Sequence, residues 1–170
     1  MAKLEKGQFL SESEAEERLL LQSGFGKKMG SKFILHPLEA AYISDIGFAK
    51  IVDKKKEMNC SQIIKSQKAG RGQILFKDQY LIYKHIRLGG RIIRFSSHSP
   101  QYWRVYARGV GREQERPQML LRLADSRWKT SLSSLGRELA VARMLRLELV
   151  LAYVEHGMPQ WIKLGKHSFG

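Results

Sequence analysis

The sequence of 170 residues predicts an α/β (α+β) fold, with a small mixed N-terminal domain and a C-terminal domain whose mixed sheet is flanked by helices. Apolar residues at helical spacing alternate with short runs of branched and aromatic residues, which are typical of strands. Hydrophobic residues make up 43% of the chain, enough to build a core. Two glycines and two basic residues interrupt this pattern at residues 68–72, so we predict one domain over residues 1–72 and another over residues 73–170.

The N-terminal domain is predicted to contain three short strands and three helices. Ser11 and Glu14 have the spacing of a capping box, in which both side chains accept hydrogen bonds from backbone N–H groups where a helix begins. Pro37 suits the first position of a helix and Asn59 suits an N-cap. The lysines of residues 54–56 are expected in a solvated loop. The predicted strands are residues 6–10, 32–35 and 48–52, and the predicted helices are residues 12–22, 37–44 and 60–67.

The C-terminal domain is predicted to follow the order α-β-β-β-α-β-β. Its first helix starts near Leu75 and ends at the pair Gly89 and Gly90. Thr130 or Ser131 is expected to cap the second helix, whose leucine stripe runs through Leu145 and is expected to face the core. The strongly apolar segment 148–155 is expected to be a central strand. The predicted strands are residues 91–95, 102–108, 118–124, 148–155 and 160–164.

Basic residues exceed acidic residues by 14, and the excess is concentrated in the middle of the chain. Residues 81–130 contain eleven basic and three acidic residues, and nine of the basic residues are arginines. An arginine guanidinium grips phosphate with two hydrogen bonds and stacks on bases, whereas lysine acts as a point charge. Tyr102, Trp103, Tyr106 and Trp128 are interleaved with these arginines, which indicates nucleic-acid binding. The alternative is a basic surface of the kind common in small proteins, many of which bind only nonspecifically.

Composition excludes several classes of protein. The longest apolar runs, such as residues 149–154, are far shorter than the roughly 20 residues of a membrane span. Cys60 is the single cysteine, so it can form neither an internal disulfide nor a cysteine-rich zinc site. The first residues contain no apolar signal segment. We therefore expect a cytoplasmic protein with no membrane partner and no small-molecule cofactor.

The histidines are scattered along the chain, and none has a metal-binding spacing with Asp, Glu or Cys, so no metal site is expected. His36 is interpreted as a helix-entry residue and His156 as a turn residue. The serines around His98 could suggest a nucleophile, but a polar loop between strands explains them as well, and we favour the loop. The remaining histidines are His85 and His167.

One row of side chains could carry chemistry. Side chains alternate between the two faces of a strand, so Arg104, Tyr106 and Arg108 are expected on the same face. Two guanidiniums beside a phenol would prepare it to accept a proton. The alternative is a row that faces RNA or merely solvent, and we favour this alternative.

Four segments, by their order and spacing along the chain, resemble the archaeal tRNA-splicing endonucleases. Residues 80–94 (YLIYKHIRLGGRIIR) resemble the helix, turn and strand that open the C-terminal domain of that family. Residues 102–109 (YWRVYARG) and 148–155 (ELVLAYVE) resemble strands that follow, and residues 33–42 (FILHPLEAAY) resemble the N-terminal strand and helix. The resemblance begins near residue 32 and implies a nuclease-like C-terminal domain.

The resemblance implies metal-independent RNA cleavage by three residues. In this family a tyrosine deprotonates the ribose 2′-hydroxyl, a histidine protonates the leaving oxygen and a lysine stabilises the charged phosphorane. Tyr106 lies at the tyrosine position, but Arg116 lies at the histidine position and Leu147 at the lysine position. An arginine does not give up a proton at neutral pH, since its pKa is above about 12, and leucine has no charge. The resemblance therefore implies that no catalytic set is intact in this chain.

Some members of the family consist of a catalytic and a structural chain, two of each, and this chain resembles the structural one. The implied partners are a catalytic endonuclease subunit and precursor tRNA with its bulge–helix–bulge. The last strand would add to its counterpart on the partner subunit, since exposed edge strands readily pair. The expected interface residues are Glu155, Gln160, Trp161 and Ile162, and the expected RNA-binding residues are Arg104, Arg108, Arg116, Arg137 and Arg143.

Two other functions remain open from the sequence. The chain could be an active metal-independent RNA endonuclease that uses Tyr106 with a displaced histidine, for example His98 or His85. It could instead be a stand-alone basic RNA-binding module with the same fold.

Overall fold

The computed structural model describes residues 2–5, 8–11, 14–30, 32–53, 56–67, 74–96, 99–107, 116–125 and 127–165. The chain divides into two compact units, Met1–Ala69 and Gly70–Gly170. The predicted division after residue 72 lies close to this boundary. Each unit contains its own sheet and helices, so the α+β class is confirmed.

The N-terminal unit is built on a six-stranded mixed sheet. The strand order is β3-β4-β2-β1-β5-β6, and the pairing of β1 with β5 is parallel whereas the other pairs are antiparallel. Helices α2 and α3 contact each other, and α1 and α2 contact strand β2. The elements are β1 Ala2–Glu5, β2 Gln8–Ser11, α1 Glu14–Gln22, β3 Lys27–Met29, β4 Lys32–Leu35, α2 Pro37–Asp45, β5 Ile51–Asp53, β6 Lys56–Met58 and α3 Cys60–Ser66.

A buried carboxylate joins two segments of the N-terminal unit. Glu39 is only 4% exposed, and it accepts hydrogen bonds from the Gly26 N–H (3.0 Å) and the His36 N–H (2.8 Å). His36 is the N-cap of α2, where its Nδ1 accepts from the Leu38 N–H at 3.2 Å, so its interpretation as a helix-entry residue is confirmed. Burial, together with the charge of Lys27, lowers the pKa of His36 to about 4.

Several predicted elements of the N-terminal unit are wrong. The single strand predicted over residues 6–10 is replaced by the hairpin of β1 and β2. Ser11 lies in β2 and α1 begins at Glu14 rather than at residue 12, and the side chain of Ser11, with the capping box expected of it, lies outside the described part of the chain. Strand β3 was not predicted, and Lys56 belongs to β6 rather than to a loop. These strands escaped prediction because each consists of three mostly polar residues, without apolar alternation.

The C-terminal unit has the predicted order α-β-β-β-α-β-β. Its five strands lie in the order β11-β10-β9-β8-β7, with β9 and β10 parallel and the other neighbours antiparallel. The strongly apolar β10 is an interior strand, although β9 occupies the middle. The elements are α4 Phe76–Leu88, β7 Ile93–Phe95, β8 Tyr102–Tyr106, β9 Pro117–Leu123, α5 Leu132–Met144, β10 Glu148–Glu155 and β11 Met158–Leu164.

Helices α4 and α5 pack on opposite faces of this sheet. Tyr83 of α4 contacts Trp103 with ring centroids 6.3 Å apart, whereas the neighbouring Tyr102 packs against the cluster that includes Ala142 of α5. Successive residues of a strand point to opposite faces, which explains the difference. The leucine stripe of α5 only partly faces the core, because Leu145 is 43% exposed. Within the described residues, no helix combines the length and the apolarity needed to cross a membrane.

Candidate nucleic-acid interface

Four strand ends meet at one edge of the C-terminal sheet. Strands β9 and β10 are parallel, so both begin at this edge, and the antiparallel β8 ends there. Strand β7 is antiparallel to β8 and therefore begins at the same edge. Residues that precede β7, β9 and β10, or follow β8, are close together in space although far apart in the chain. Arg91, Ala107, Arg116 and Arg146 occupy these positions.

These residues line an open cavity of about 660 Å³, which we call the arginine pocket. Its charged lining consists of Arg91, Arg116, Arg146 and Glu148. Glu148 already forms an ion pair with Lys163, whose Nζ lies 2.5 Å from Oε1. Within the described part of the chain, no carboxylate lies within ion-pair distance of the three arginines. The described lining of the pocket is therefore cationic, with three arginines and one glutamate. Its remaining lining residues are Ala107, Pro117, Gln118 and Met119.

Arg146 has an uncommon backbone conformation. It follows α5 with φ of 56°, in the left-handed region that favours glycine. Its N–H donates to the Arg143 carbonyl, and the Leu147 N–H donates to the Ala142 carbonyl, both at 2.8 Å. This pair of bonds is a Schellman motif, in which glycine usually occupies the place of Arg146. A non-glycine residue there costs about 1 kcal/mol.

Leu147 has the opposite environment from its neighbour. It is 9% exposed and belongs to a hydrophobic cluster with Leu120, Ala142 and Leu149. The side chain that corresponds by resemblance to the family's lysine is thus part of the core. Because the Schellman motif turns the chain, Arg146 faces the pocket while Leu147 faces inward.

Tyr106 is half-buried at the end of β8, next to the pocket-lining Ala107. Its N–H donates to the Ile92 carbonyl at 2.9 Å, and the register of β8 and β9 shifts between Val105 and Tyr106. No side chain in the described ranges forms a hydrogen bond with its hydroxyl. Arg104 is exposed on β8, whereas Arg108 lies outside the described residues.

Of the two candidates for a displaced histidine, the structure describes only His85, which lies away from Tyr106. His85 lies on α4 and contacts Trp161 of β11, with ring centroids 5.6 Å apart. Strand β11 is three strand spacings from β8, which corresponds to about 14 Å. His98 lies outside the described residues.

The aromatic residues near the arginines have structural partners. Trp103 is 1% exposed and belongs to the core. The Arg122 guanidinium lies 4.4 Å from the ring centroid of Trp128 and 5.7 Å from that of Tyr102, and its Nε donates to Glu138 Oε1 at 3.1 Å. Burial, followed by the charge of Glu138, raises the pKa of Tyr102. These three aromatic residues therefore stabilise the fold. They are less available to stack on bases than their position among the arginines in the sequence suggested.

The other arginines predicted to bind RNA lie on α5. Arg137 and Arg143 are both exposed. Arg143 also lines a separate groove of about 580 Å³ along the helix, together with Leu132 and Leu139. They are separate from the arginine pocket, whose described lining does not include them.

The predicted interface residues lie on the β10–β11 hairpin. Strand β11 pairs with β10 alone among the described strands, so its outer side is an edge of the sheet. Glu155 is exposed beside the turn, Ile162 is 44% exposed, and Gln160 and Trp161 are half-buried. His156 lies in the turn, as interpreted from the sequence.

Sequence reasoning missed two pocket residues, Arg91 and Arg146. Both immediately precede or adjoin strand starts, but their proximity depends on the order of strands in the sheet. Parallel pairing of β9 and β10 brings together the residues just before each strand. A prediction of the strand order would therefore have placed Arg146 near Arg116. The structure brings Arg116 together with them. Within the described residues, His, Cys, Asp and Glu side chains do not form any group of three that could hold a metal ion.

Comparison with known proteins confirms the resemblance. A family model for the N-terminal domain of tRNA intron endonuclease matches residues 1–64 and therefore includes the first thirty residues, where the sequence suggested no relationship. The chain is 27% identical to the tRNA-splicing endonuclease of Pyrococcus horikoshii over 161 residues, which cover 91% of each chain. It is 29% identical to the tRNA-splicing endonuclease of Thermococcus onnurineus over 147 residues, which cover 86% of this chain and 83% of the relative.

Proposed function

We propose that this chain, which is similar to archaeal tRNA-splicing endonucleases over most of its length, is the structural, non-catalytic subunit of a two-chain enzyme that removes introns from precursor tRNA. The observation that carries the proposal is the burial of Leu147 in the cluster with Leu120 and Leu149. A core leucine at the position matching the family's lysine cannot stabilise a phosphorane.

The position of the proton donor supports the same proposal. Arg116 matches the position of the family's histidine, and it lines a cavity that also contains Arg91 and Arg146. A guanidinium stabilises negative charge but does not transfer a proton at neutral pH. Loss of a general acid alone lowers the rate by on the order of 10²–10⁴-fold. Tyr106 alone is therefore insufficient for efficient cleavage.

The proposed role is to bind RNA and to hold the catalytic subunit, in an assembly of two copies of each chain in the cytoplasm. Exposed arginines on β8 and α5 would contact the backbone of a bulge–helix–bulge, which proteins recognise largely by shape and phosphate position. The open side of β11 would pair with the catalytic subunit, and Glu155 would contribute one acidic contact. The arginines of this surface are Arg104, Arg137 and Arg143.

Reconstitution with an intron-containing precursor tRNA tests the proposal. We expect this chain alone to leave the RNA intact and the mixture with a catalytic subunit to remove the intron. Tyr106→Phe in this chain is expected to leave the activity of the mixture unchanged, since Arg116 and Leu147 occupy the positions that match the family's histidine and lysine.

Two outcomes would contradict the proposal. Cleavage by this chain alone that disappears in the Tyr106→Phe variant would identify an active nuclease. A stable monomer in light scattering, with no association in the presence of the catalytic chain, would identify a stand-alone RNA-binding module.

A further inference from the structure

We propose that the arginine pocket binds a backbone phosphate of RNA and leaves it uncleaved. The inference rests on the proposed function and names the ligand of a site within the structural subunit. Arg91, Arg116 and Arg146 reach this pocket from three different strand starts.

The charge of the pocket is not neutralised by the described residues. Glu148 is its one described carboxylate, and Lys163 is already paired with it at 2.5 Å. The Arg91 Nη1 atom reaches only the thioether of Met119, at 3.7 Å. Guanidiniums without carboxylate partners at an open cavity attract an anion, and a phosphodiester matches their paired N–H donors.

The backbone conformation of Arg146 supports the proposal independently of the charge of the pocket. The Schellman motif at the end of α5 favours glycine at this position, yet the chain has an arginine there at φ of 56°. Strained residues of this kind are concentrated at functional sites. Here the unfavourable residue is the one that adds a third arginine to the pocket.

The same pocket lacks the groups for cleavage among the described residues. Its charged lining contains arginines and one glutamate but no histidine or lysine. The phosphate would be held by charge and hydrogen bonds, with no group of suitable pKa to protonate a leaving oxygen. RNA is favoured over a free anion because the cavity is open and adjoins the exposed Arg116 and Gln118.

Binding of a fluorescein-labelled bulged RNA duplex to the full-length chain, measured by anisotropy at several KCl concentrations, tests the proposal. The variant Arg116→Ala/Arg146→Gly is expected to bind at least about tenfold more weakly. The slope of the logarithm of the binding constant against the logarithm of the KCl concentration is expected to fall in magnitude by about one for each phosphate that the variant no longer binds. Arg127→Ala, which removes an exposed arginine elsewhere in the unit, is the control and is expected to change the affinity little.

Thermal unfolding of Arg146→Gly separates binding from folding. Glycine relieves the left-handed strain, so this variant is expected to melt at a higher temperature while it binds the RNA more weakly. Arg146→Lys keeps the charge and is expected to retain most of the affinity. A purely structural role would move stability and affinity in the same direction, and that result would overturn the proposal.

Two further results would also overturn it. Equal loss of affinity in Arg127→Ala and in the pocket variants would indicate general electrostatic attraction only. Binding of inorganic phosphate that is abolished in the double variant, with unchanged RNA affinity, would indicate a free-anion site. The assay uses the isolated chain and no cleavage, so failure of the reconstitution experiment leaves its outcome unchanged.

Discussion

Adjacent residues at the start of β10 have opposite roles. Arg146 lines the arginine pocket, whereas Leu147 packs against Leu120 and Leu149 in the core. The Schellman motif separates them by turning the chain between α5 and β10. A cation is thus available at this corner of the sheet, but it comes from the residue before the position of the family's lysine.

Leu147→Lys should not restore catalysis and should destabilise the chain. The variant loses the burial of a leucine and places an ammonium in an apolar cluster, so we expect a loss of about 3–5 kcal/mol in the free energy of unfolding. Leu147→Met, which preserves volume, is expected to cost less than about 1.5 kcal/mol. Urea unfolding measures both variants. Equal stability of the two would mean that position 147 tolerates a charge, and the argument for a structural subunit would lose its main support.

The residue that caps the start of helix α2 is a histidine with a lowered pKa. This N-cap, His36, is held neutral because burial and Lys27 lower its pKa to about 4. The neutral ring accepts the Leu38 N–H at Nδ1, and protonation would replace this acceptor with a donor. Near pH 4, protonation of His36 would therefore remove the hydrogen bond that caps the start of α2.

We expect the stability of the chain to fall as the pH decreases from 6.5 to 4. Above pH 6.5 His36 is neutral in both states, whereas between these values the unfolded chain binds a proton that the folded chain does not. The slope from this group is at most about 1.4 kcal/mol per pH unit. Unfolding curves at several pH values measure it. His36→Asn keeps an N-cap without a titrating group, and the same slope in this variant would exclude His36 as the cause.

Helices were easier to predict than short strands. Ser131 and Asn59 were found as caps because their side chains accept from the first turn, as in the bonds to the Ser134 and Gln62 N–H groups. Strand β6 was missed because its pairing with β5, rather than local pattern, determines it. The same reason applies to the arginine pocket. The resemblance to the endonuclease family identified Arg116, but Arg91 joins it only through the pairing of four strands.

On the scale of the whole molecule, the two sheets end differently. The outer strands of the N-terminal sheet, β3 and β6, carry lysines, and lysines on an edge discourage pairing with another chain. The outer strand β11 of the C-terminal sheet presents Ile162 at 44% exposure and Met158 at 63%, and its one lysine, Lys163, is paired with Glu148 of the neighbouring strand. This difference favours β11 as the edge that meets another subunit.

Ile162→Glu is expected to weaken association with the catalytic subunit without unfolding the chain. A charge on an exposed edge position opposes burial in an interface, and we expect at least about a tenfold loss of affinity, since 1.4 kcal/mol corresponds to a factor of ten. Val141→Glu is the matched control, because Val141 is similarly exposed, at 47%, and lies on α5 outside the groove that Leu132 and Gly165 line. Sedimentation of mixtures measures both. Similar weakening by the control would remove β11 from the interface.

The parallel pairing of β9 with β10 has a consequence for how the chain folds. Strands β7 to β9, and the hairpin of β10 and β11, can each form from neighbouring segments. The pairing of β9 with β10 can form only after α5 has been placed, since the whole helix lies between these two strands in the sequence. Such nonlocal closure is slow. In a nascent chain that ends before residue 148, Arg91 and Arg116 would therefore be exposed without the arginine pocket.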